Sequence, residues 1–438
     1  MRAFVIVWAG QMVSLFGSAM SWFAFTIWAW QTTGEATVLA LVSFFSFGPT
    51  LLLSPVAGAL VDRWNRKLVM MLSDVATGLA TLAVLVLYAT HTLQIWHLYV
   101  IAILAGAFGA FQFPAYSAAV TTMLPKEQYA RAEGMVGMAE AAAGVFAPAL
   151  AAILFVHMGL PGILLIDLLT LVLALGTLFS VHVPQPPVTA AGKEGQGSLW
   201  TESLYGFRYI SRRSSLSALQ ALFAVGNFFE SLGLTLVAPM LLARTGNDEI
   251  VLGSVQSAGA VGGAIGGALL IAWGGPKRRI HGVLLGWACA NLLGMSLMGL
   301  GQGLVIWLAA SFCADLFTPF VNGSDQAIWQ SKVAPDVQGR VFATRLLLSQ
   351  ATIPIAMLLA GPLADNIFEP AMRPDGRLAQ AFGWLVGTGP GAGMALILVF
   401  AGGVGVLINL GGYAFRAVRD AEDLLPDYDG AVVAATEA

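Results

Sequence analysis

Long apolar runs alternate with short polar breaks along the chain. Twelve runs are long enough to cross a bilayer, which takes about 20 mostly apolar residues. They cover roughly 4–30, 37–61, 68–90, 95–121, 133–156, 160–182, 215–242, 250–273, 279–300, 304–329, 341–364 and 384–413, and each predicts a membrane helix. The stretch 183–214 is different. It opens on Pro184, Pro186 and Pro187, passes Gly192, Gly195 and Gly197, and then sets Trp200, Leu204 and Phe207 at helical spacing. That pattern predicts a linker followed by a short helix on the membrane surface.

A repeat underlies the runs. Gln11 aligns with Gln220, Gly17 with Gly226, and Gly58-Ala59-Leu60-Val61 with Gly267-Ala268-Leu269-Leu270 at one constant offset. The expected units are a six-helix bundle over 1–182, the linker 183–214, a second six-helix bundle over 215–413 and an acidic tail over 414–438. Repeated halves place a binding site near the bilayer midplane, at the surface between them.

Composition agrees. Only 10% of the residues are charged, against about 25% in a soluble domain, and mean hydropathy is +0.79. Too few charges remain for a polar skin, so lipid is the expected solvent. Charge placement orients the chain. With both termini in the cytoplasm, eighteen of the 21 basic residues fall on cytoplasmic loops; Arg244, Arg373 and Arg377 fall outside. Cys289 and Cys313 lie inside apolar runs and give no metal or disulfide spacing. No nucleophile–base pair or metal-ligand cluster stands out, so neither an enzyme nor a cofactor is expected. The first apolar run is too long for a cleavable signal.

An ionised group at the bilayer centre costs at least about 2.5–3.5 kcal/mol, so each membrane acid needs a reason. Glu230 and Asp315 lie near the middle of their runs. Polar stripes at helical spacing accompany them: Gln11, Ser14, Ser18 and Ser21; Gln220, Asn227 and Glu230; Asp315, Thr318, Asn322 and Asp325. Glu230, Asp315, Glu140 and Asp325 are the candidate proton-coupling groups. A structural hydrogen bond to a neighbouring helix is the alternative for each. Gly259, Gly262, Gly263, Gly266 and Gly267 sit in a membrane run with no strand before them, and read as close helix packing rather than a nucleotide loop.

The segment Gly58-Ala59-Leu60-Val61-Asp62-Arg63-Trp64-Asn65-Arg66-Lys67 resembles motif A of the major facilitator transporters. Asn65 stands where that family usually has glycine and is expected to tolerate a left-handed turn. The resemblance implies a cytoplasmic gate of Gly58, Asp62, Arg63, Arg66 and Lys67, with Asp74 as its partner. Arg131, Glu133, Arg340 and Arg345 lie at cytoplasmic helix starts and are expected to form ion pairs between the halves. Gly134, Ala143, Ala147, Pro148, Ala151 and Ala152 keep the spacing of the antiporter motif C with alanine for glycine. A plain packing face would look the same, and both readings stand. Motif B is missing, since the fourth run holds Gln112 but no arginine.

Gly10-Gln11, Thr33-Gly34-Glu35-Ala36-Thr37, Asp62-Arg63-Trp64-Asn65-Arg66 and Gly361-Pro362-Leu363-Ala364-Asp365 are most similar to the macrolide-efflux-like branch of the drug–proton antiporters, which is related to siderophore exporters. The resemblance implies an all-α membrane protein with twelve helices in two pseudo-symmetric halves. The first, fourth, seventh and tenth helices would line a central cavity through Gln11, Ser14, Ser18, Ser21, Phe25, Gln112, Gln220, Phe223, Asn227, Thr318 and Asn322. The implied activity is export of macrolide-like amphipathic drugs by proton antiport and alternating access, in a bacterial plasma membrane. An exporter of one metabolite or siderophore is the alternative. The implied partners are a small molecule, protons and the bilayer, with no nucleic acid, and the chain is expected to be a monomer.

Overall fold

The computed structural model describes residues 2–124, 128–183, 206–333 and 337–425. Among the described residues all regular structure is helical. The first half holds α1 (Arg2–Thr33), α2 (Ala36–Arg63), α3 (Arg66–Ala89), α4 (Ile95–Met123) and α5 (Tyr129–Ser180). The second holds α6 (Ser214–Thr245), α7 (Glu249–Trp273), α8 (Arg279–Cys289), α9 (Leu304–Lys332), α10 (Gln338–Gln350), α11 (Ile353–Leu363), α12 (Arg377–Val386) and α13 (Ala392–Gly411), then two short turns, α14 (Arg416–Arg419) and α15 (Ala421–Leu424).

Eleven helical stretches, among them α8 continued to Leu300 and α10 joined to α11 through Ala371, are long and apolar enough to span a bilayer. One of them is two crossings. α5 is 52 residues long and breaks at Gly159, with φ 63° and ψ −169°. A straight helix of that length would reach about 78 Å, more than twice the ~30 Å hydrocarbon core. An L side chain would be strained at that φ, so glycine supplies the corner. Among the described residues this makes twelve crossings, six in each half.

The twelfth crossing departs from the expected 384–413. Its helix begins at Ala392, and α12 ends at Val386. Gly387, Gly389 and Gly391 all take positive φ between them, which turns the chain. The eleventh crossing is also broken. α10 and α11 meet at Ala351–Thr352, and a π turn, Ala364–Phe368, follows α11. Trp200 and Leu204 of the expected surface helix lie outside the described residues; Phe207 is exposed on a helical turn.

The halves meet through α5 against α7 and α2 against α11. The meeting surfaces are small-residue surfaces. Ala143, Ala147, Ala151 and Ala152 are all buried on α5. On α7, a Cβ at Gly253 would stand 2.7 Å from the Pro148 carbonyl oxygen and 2.8 Å from the Ala152 methyl. Close backbone approach of this kind is how membrane helices associate without a hydrophobic drive between them. The α7 glycines pack in the same way: Cβ atoms at Gly262 and Gly266 would meet the carbonyl oxygens of Phe312 and Leu316 on α9.

Candidate transport site and its gates

A cavity of about 650 Å³ lies between the halves. Phe23, Phe25, Val42, Phe47 and Thr50 line it from α1 and α2, Pro148 from α5, Ser231 and Thr235 from α6, Gln256 from α7 and Met357 from α11. Its walls carry no ionisable side chain among the described residues. Phe25 is buried there and meets Trp22 edge to face at 5.8 Å. The polar groups are hydroxyls and one amide, which suits a large apolar body with a few hydrogen-bonding substituents.

The α1 stripe does not face this cavity. Gln11, Ser14 and Ser18 line a separate cavity of about 230 Å³ inside the first half, with Gln112, Asp74 and Asp167. Gln11 and Gln112 each donate a hydrogen bond to the Asp74 carboxylate at 2.9 Å. The Asp167 carboxylate accepts from Ser18 at 3.3 Å, Ser21 at 2.9 Å and Thr81 at 3.1 Å. The stripe therefore satisfies two buried acids, and α1 turns its aromatic side to the other half. Asp74, expected beside the motif A loop, is held by two amides instead.

In the second half Glu230 accepts one hydrogen bond, from the Trp287 indole at 3.0 Å, and the Trp287 ring meets Phe223 at a tilt of 40°, centroids 4.8 Å apart. Asp315 is close enough to Glu230 for their charges to interact. A Cβ at Gly259 would stand 2.4 Å from an Asp315 carboxylate oxygen, so α7 leaves room for that side chain. Thr318 and Asn322 are exposed further along α9, and Glu140 is exposed on α5.

Gln220, Phe223, Asn227 and Asn322 line a third cavity of about 430 Å³, with Asp325 and Arg345. Arg345 does not reach the other half. It forms an ion pair with Asp325, donates to Gln326 at 2.8 Å and lies over the Trp329 ring. The Trp329 indole donates to the same carboxylate at 3.1 Å. Arg131 is exposed, and the side chains of Glu133 and Arg340 lie outside the described residues.

Of the motif A residues, the surroundings of Gly58 and the side chains of Asp62 and Arg63 lie outside what the structure describes. Lys67 donates to the carbonyls of Phe179 and Val181, at 3.2 and 2.7 Å, and so closes the C-terminus of α5. Arg66 holds an interaction of its own. Asn65 is not left-handed. At φ −67° and ψ 111° it caps α3, accepting the Leu68 N–H at 3.2 Å. Of the motif C-like residues, Gly134 is exposed, Ala143 and Ala147 are buried, and Pro148 sits at the α5–α7 contact described above.

Hydrogen bonds join the halves at the end away from the basic loops. The Trp30 indole donates to the Asn247 side chain at 2.8 Å, and Gln31 to Glu249 at 2.5 Å. Asp365 accepts from α2, at Ala36 N–H (3.0 Å), Thr37 N–H (2.7 Å) and the Thr37 hydroxyl (2.5 Å). Two phrases that carried the resemblance thus meet in space. The pairing itself escaped the sequence reading, although both partners sat in quoted motifs.

The tail folds back at the basic end. Asp423 pairs with Arg278 at 2.5 Å, and Glu422 accepts the Arg279 and Ile280 N–H groups at 3.2 and 3.0 Å. The second copy of motif A lacks its acid, with Ile271 in that place, and the tail brings acids to its displaced basic cluster. Hydrogen bonds from Arg419 hold the Asp420 carboxyl below its usual range.

Twelve crossings in two repeated halves around an inter-half cavity define a polytopic membrane transporter. The Major Facilitator Superfamily profile matches residues 7–357, and the chain belongs to that family. It is 28% identical over 372 residues to Macrolide efflux protein A of Streptococcus pyogenes, covering 83% of this chain and 90% of that one. It is 26% identical over 362 residues to the Multidrug efflux pump Tap of Mycolicibacterium fortuitum, covering 80% of this chain and 86% of that one. The fold is similar to that of a bacterial homologue of the human lysosomal transporter Spinster in an inward-facing, occupied conformation, at TM-score 0.69 and 15% identity over 98% of this chain and 99% of that one. A bacterial homologue of the iron transporter ferroportin in an inward-facing state is similar at TM-score 0.65 and 15% identity, over 93% of this chain and 98% of that one.

Proposed function

We propose that the chain exports bulky amphipathic compounds of the macrolide kind by proton antiport, working as a monomer in a bacterial plasma membrane with both termini and the basic loops on the cytoplasmic side. The inter-half cavity of about 650 Å³ carries this reading. Its aromatic and aliphatic walls select by shape and apolarity, and its few hydroxyl and amide groups fix orientation. The names of the curated relatives point the same way.

Glu230 is the group we assign to proton coupling. A single indole donor compensates its charge, whereas Asp74 has two neutral donors and Asp167 three. Protonation there changes the contact among α6, α8 and the nearby Asp315 rather than the cargo surface. The cargo and the proton are then coupled through the packing of the second half.

Efflux from cells, or uptake into inverted vesicles, tests the reading. Accumulation of a labelled macrolide should follow ΔpH and stop when the gradient is collapsed. Glu230→Gln should remove the ΔpH dependence while the protein still binds cargo. Phe25→Ala should weaken cargo binding and leave the ΔpH dependence of the residual flux. Full coupling in Glu230→Gln rules that residue out as the proton carrier. A compound panel with no gradient-dependent efflux rules out drug export.

A further inference from the structure

We propose that Asp365 is a positioning residue of the transport cycle: it caps α2 from the opposite half, so the end away from the basic loops can open only by uncapping that helix. This rests on the reading of the chain as a transporter whose halves part at that end.

A helix begins with N–H groups that have no partner within it, and a side chain at the cap position normally accepts one of them. The cap residue of α2 is Glu35, and its side chain makes no such bond. The Ala36 and Thr37 N–H groups bind the two Asp365 oxygens instead, at 3.0 and 2.7 Å, and the Thr37 hydroxyl adds a third bond at 2.5 Å. A carboxylate at this position also meets the positive end of the helix dipole, and bonds to a charged acceptor are stronger than neutral ones. The approach is tight. A Cβ at Gly361, one turn earlier on the same crossing, would stand 2.3 Å from the Thr37 Cα. The α11 backbone is thus seated against the start of α2.

Among the described residues, two other helices take a carboxylate cap from a distant segment. Glu422 accepts from the first turn of α8, and Glu369 accepts the Gly391 and Met394 N–H groups at 3.1 and 2.9 Å, at the start of α13. Both of those caps lie within the second half. A rigid rocking of the halves preserves them. The Asp365 cap spans the halves, so the same motion breaks it and exposes both α2 N–H groups. Asp365 therefore biases the equilibrium between the two facing states and leaves the cargo surface untouched.

The test uses the full chain in lipid nanodiscs, with Cys289 and Cys313 replaced by alanine and spin labels introduced by Thr92→Cys and Asp375→Cys. Both label sites are exposed at the end in question. Pulsed distance measurements then read the populations of closed and open forms without cargo or a pH gradient. Asp365→Ala should raise the open population about tenfold, the scale of losing one helix cap. Asp365→Asn, which keeps one acceptor oxygen, should raise it less. Glu35→Ser gives α2 a cap of its own in the open form, and should shift the population the same way with Asp365 intact. Adding Glu35→Ser to Asp365→Ala should then change nothing further. An unchanged distribution in folded Asp365→Ala overturns the proposal. If that variant does not fold, absence of a shift in Glu35→Ser overturns it. These distances hold or fail whether or not macrolides are the cargo.

Discussion

At the end away from the basic loops, Phe25 and Trp30 of the first half share a cluster with Leu236, Met240 and Ala360 of the second. At the basic end, Val7, Val61, Met70 and Leu178 cluster within the first half, and Leu219, Val283, Ile328 and Trp329 within the second. Apolar contact has no direction, so a shared cluster adheres without specifying an angle. Directed bonds from Trp30, Thr37 and Asp365 supply the angle at the shared end. Among the described residues, the buried clusters at the basic end stay within one half or the other, and Arg345 pairs with Asp325 inside the second half. A protein built this way can part at one end without unfolding either half.

The largest test of the contrast is Arg345→Ala. It strands Asp325, which is 2% exposed, without its counter-ion, and breaking a buried pair costs about 3–5 kcal/mol. Thermal unfolding should show the loss, and hydrogen exchange should place it in α9 and α10. Equal loss of protection in α1 to α4 would break the contrast. Next comes Gly253→Leu, which wedges α7 from Pro148 and Ala152. Overpacking costs about 1–3 kcal/mol, and here both halves should lose protection. Damage confined to the second half would show that the α5–α7 contact is not shared. The smallest effect belongs to Trp30→Phe. It keeps the ring and deletes the bond to the exposed Asn247, for a cost near the low end of about 0.5–1.5 kcal/mol. Faster exchange at the start of α7, with the basic end unchanged, is the expected signature.

Most of the helices were legible from hydropathy, because a bilayer imposes one length on every crossing. The exception was the start of the twelfth. There Gly387-Thr388-Gly389-Pro390-Gly391 lies inside an apolar stretch, and hydropathy hides a turn that the Gly and Pro spacing signals. The facing of α1 was not legible. Its serines mark a polar face, but a helix in this fold borders both its own bundle and the opposite half, and a stripe does not say which one it addresses. Only the neighbours Asp74 and Asp167, far away in sequence, decide that. The caps on α2, α8 and α13 were invisible for the same reason. Cap reading looks one or two residues upstream, and these acceptors come from segments tens to hundreds of positions away. The Asp325–Arg345 pair was half legible: both charges stood out, but the spacing of two helices could not say that they close on each other.

Gly159 joins two limbs with very different tasks. The limb before it meets α7 across the halves through Pro148 and Ala152, and the limb after it carries Asp167 into the bonds with α1 and α3. Helix runs on both sides of that single residue, so the joint has no slack. In a rigid rocking of the halves both limbs travel together, so the contact with α7 shifts while the bonds at Asp167 stay whole.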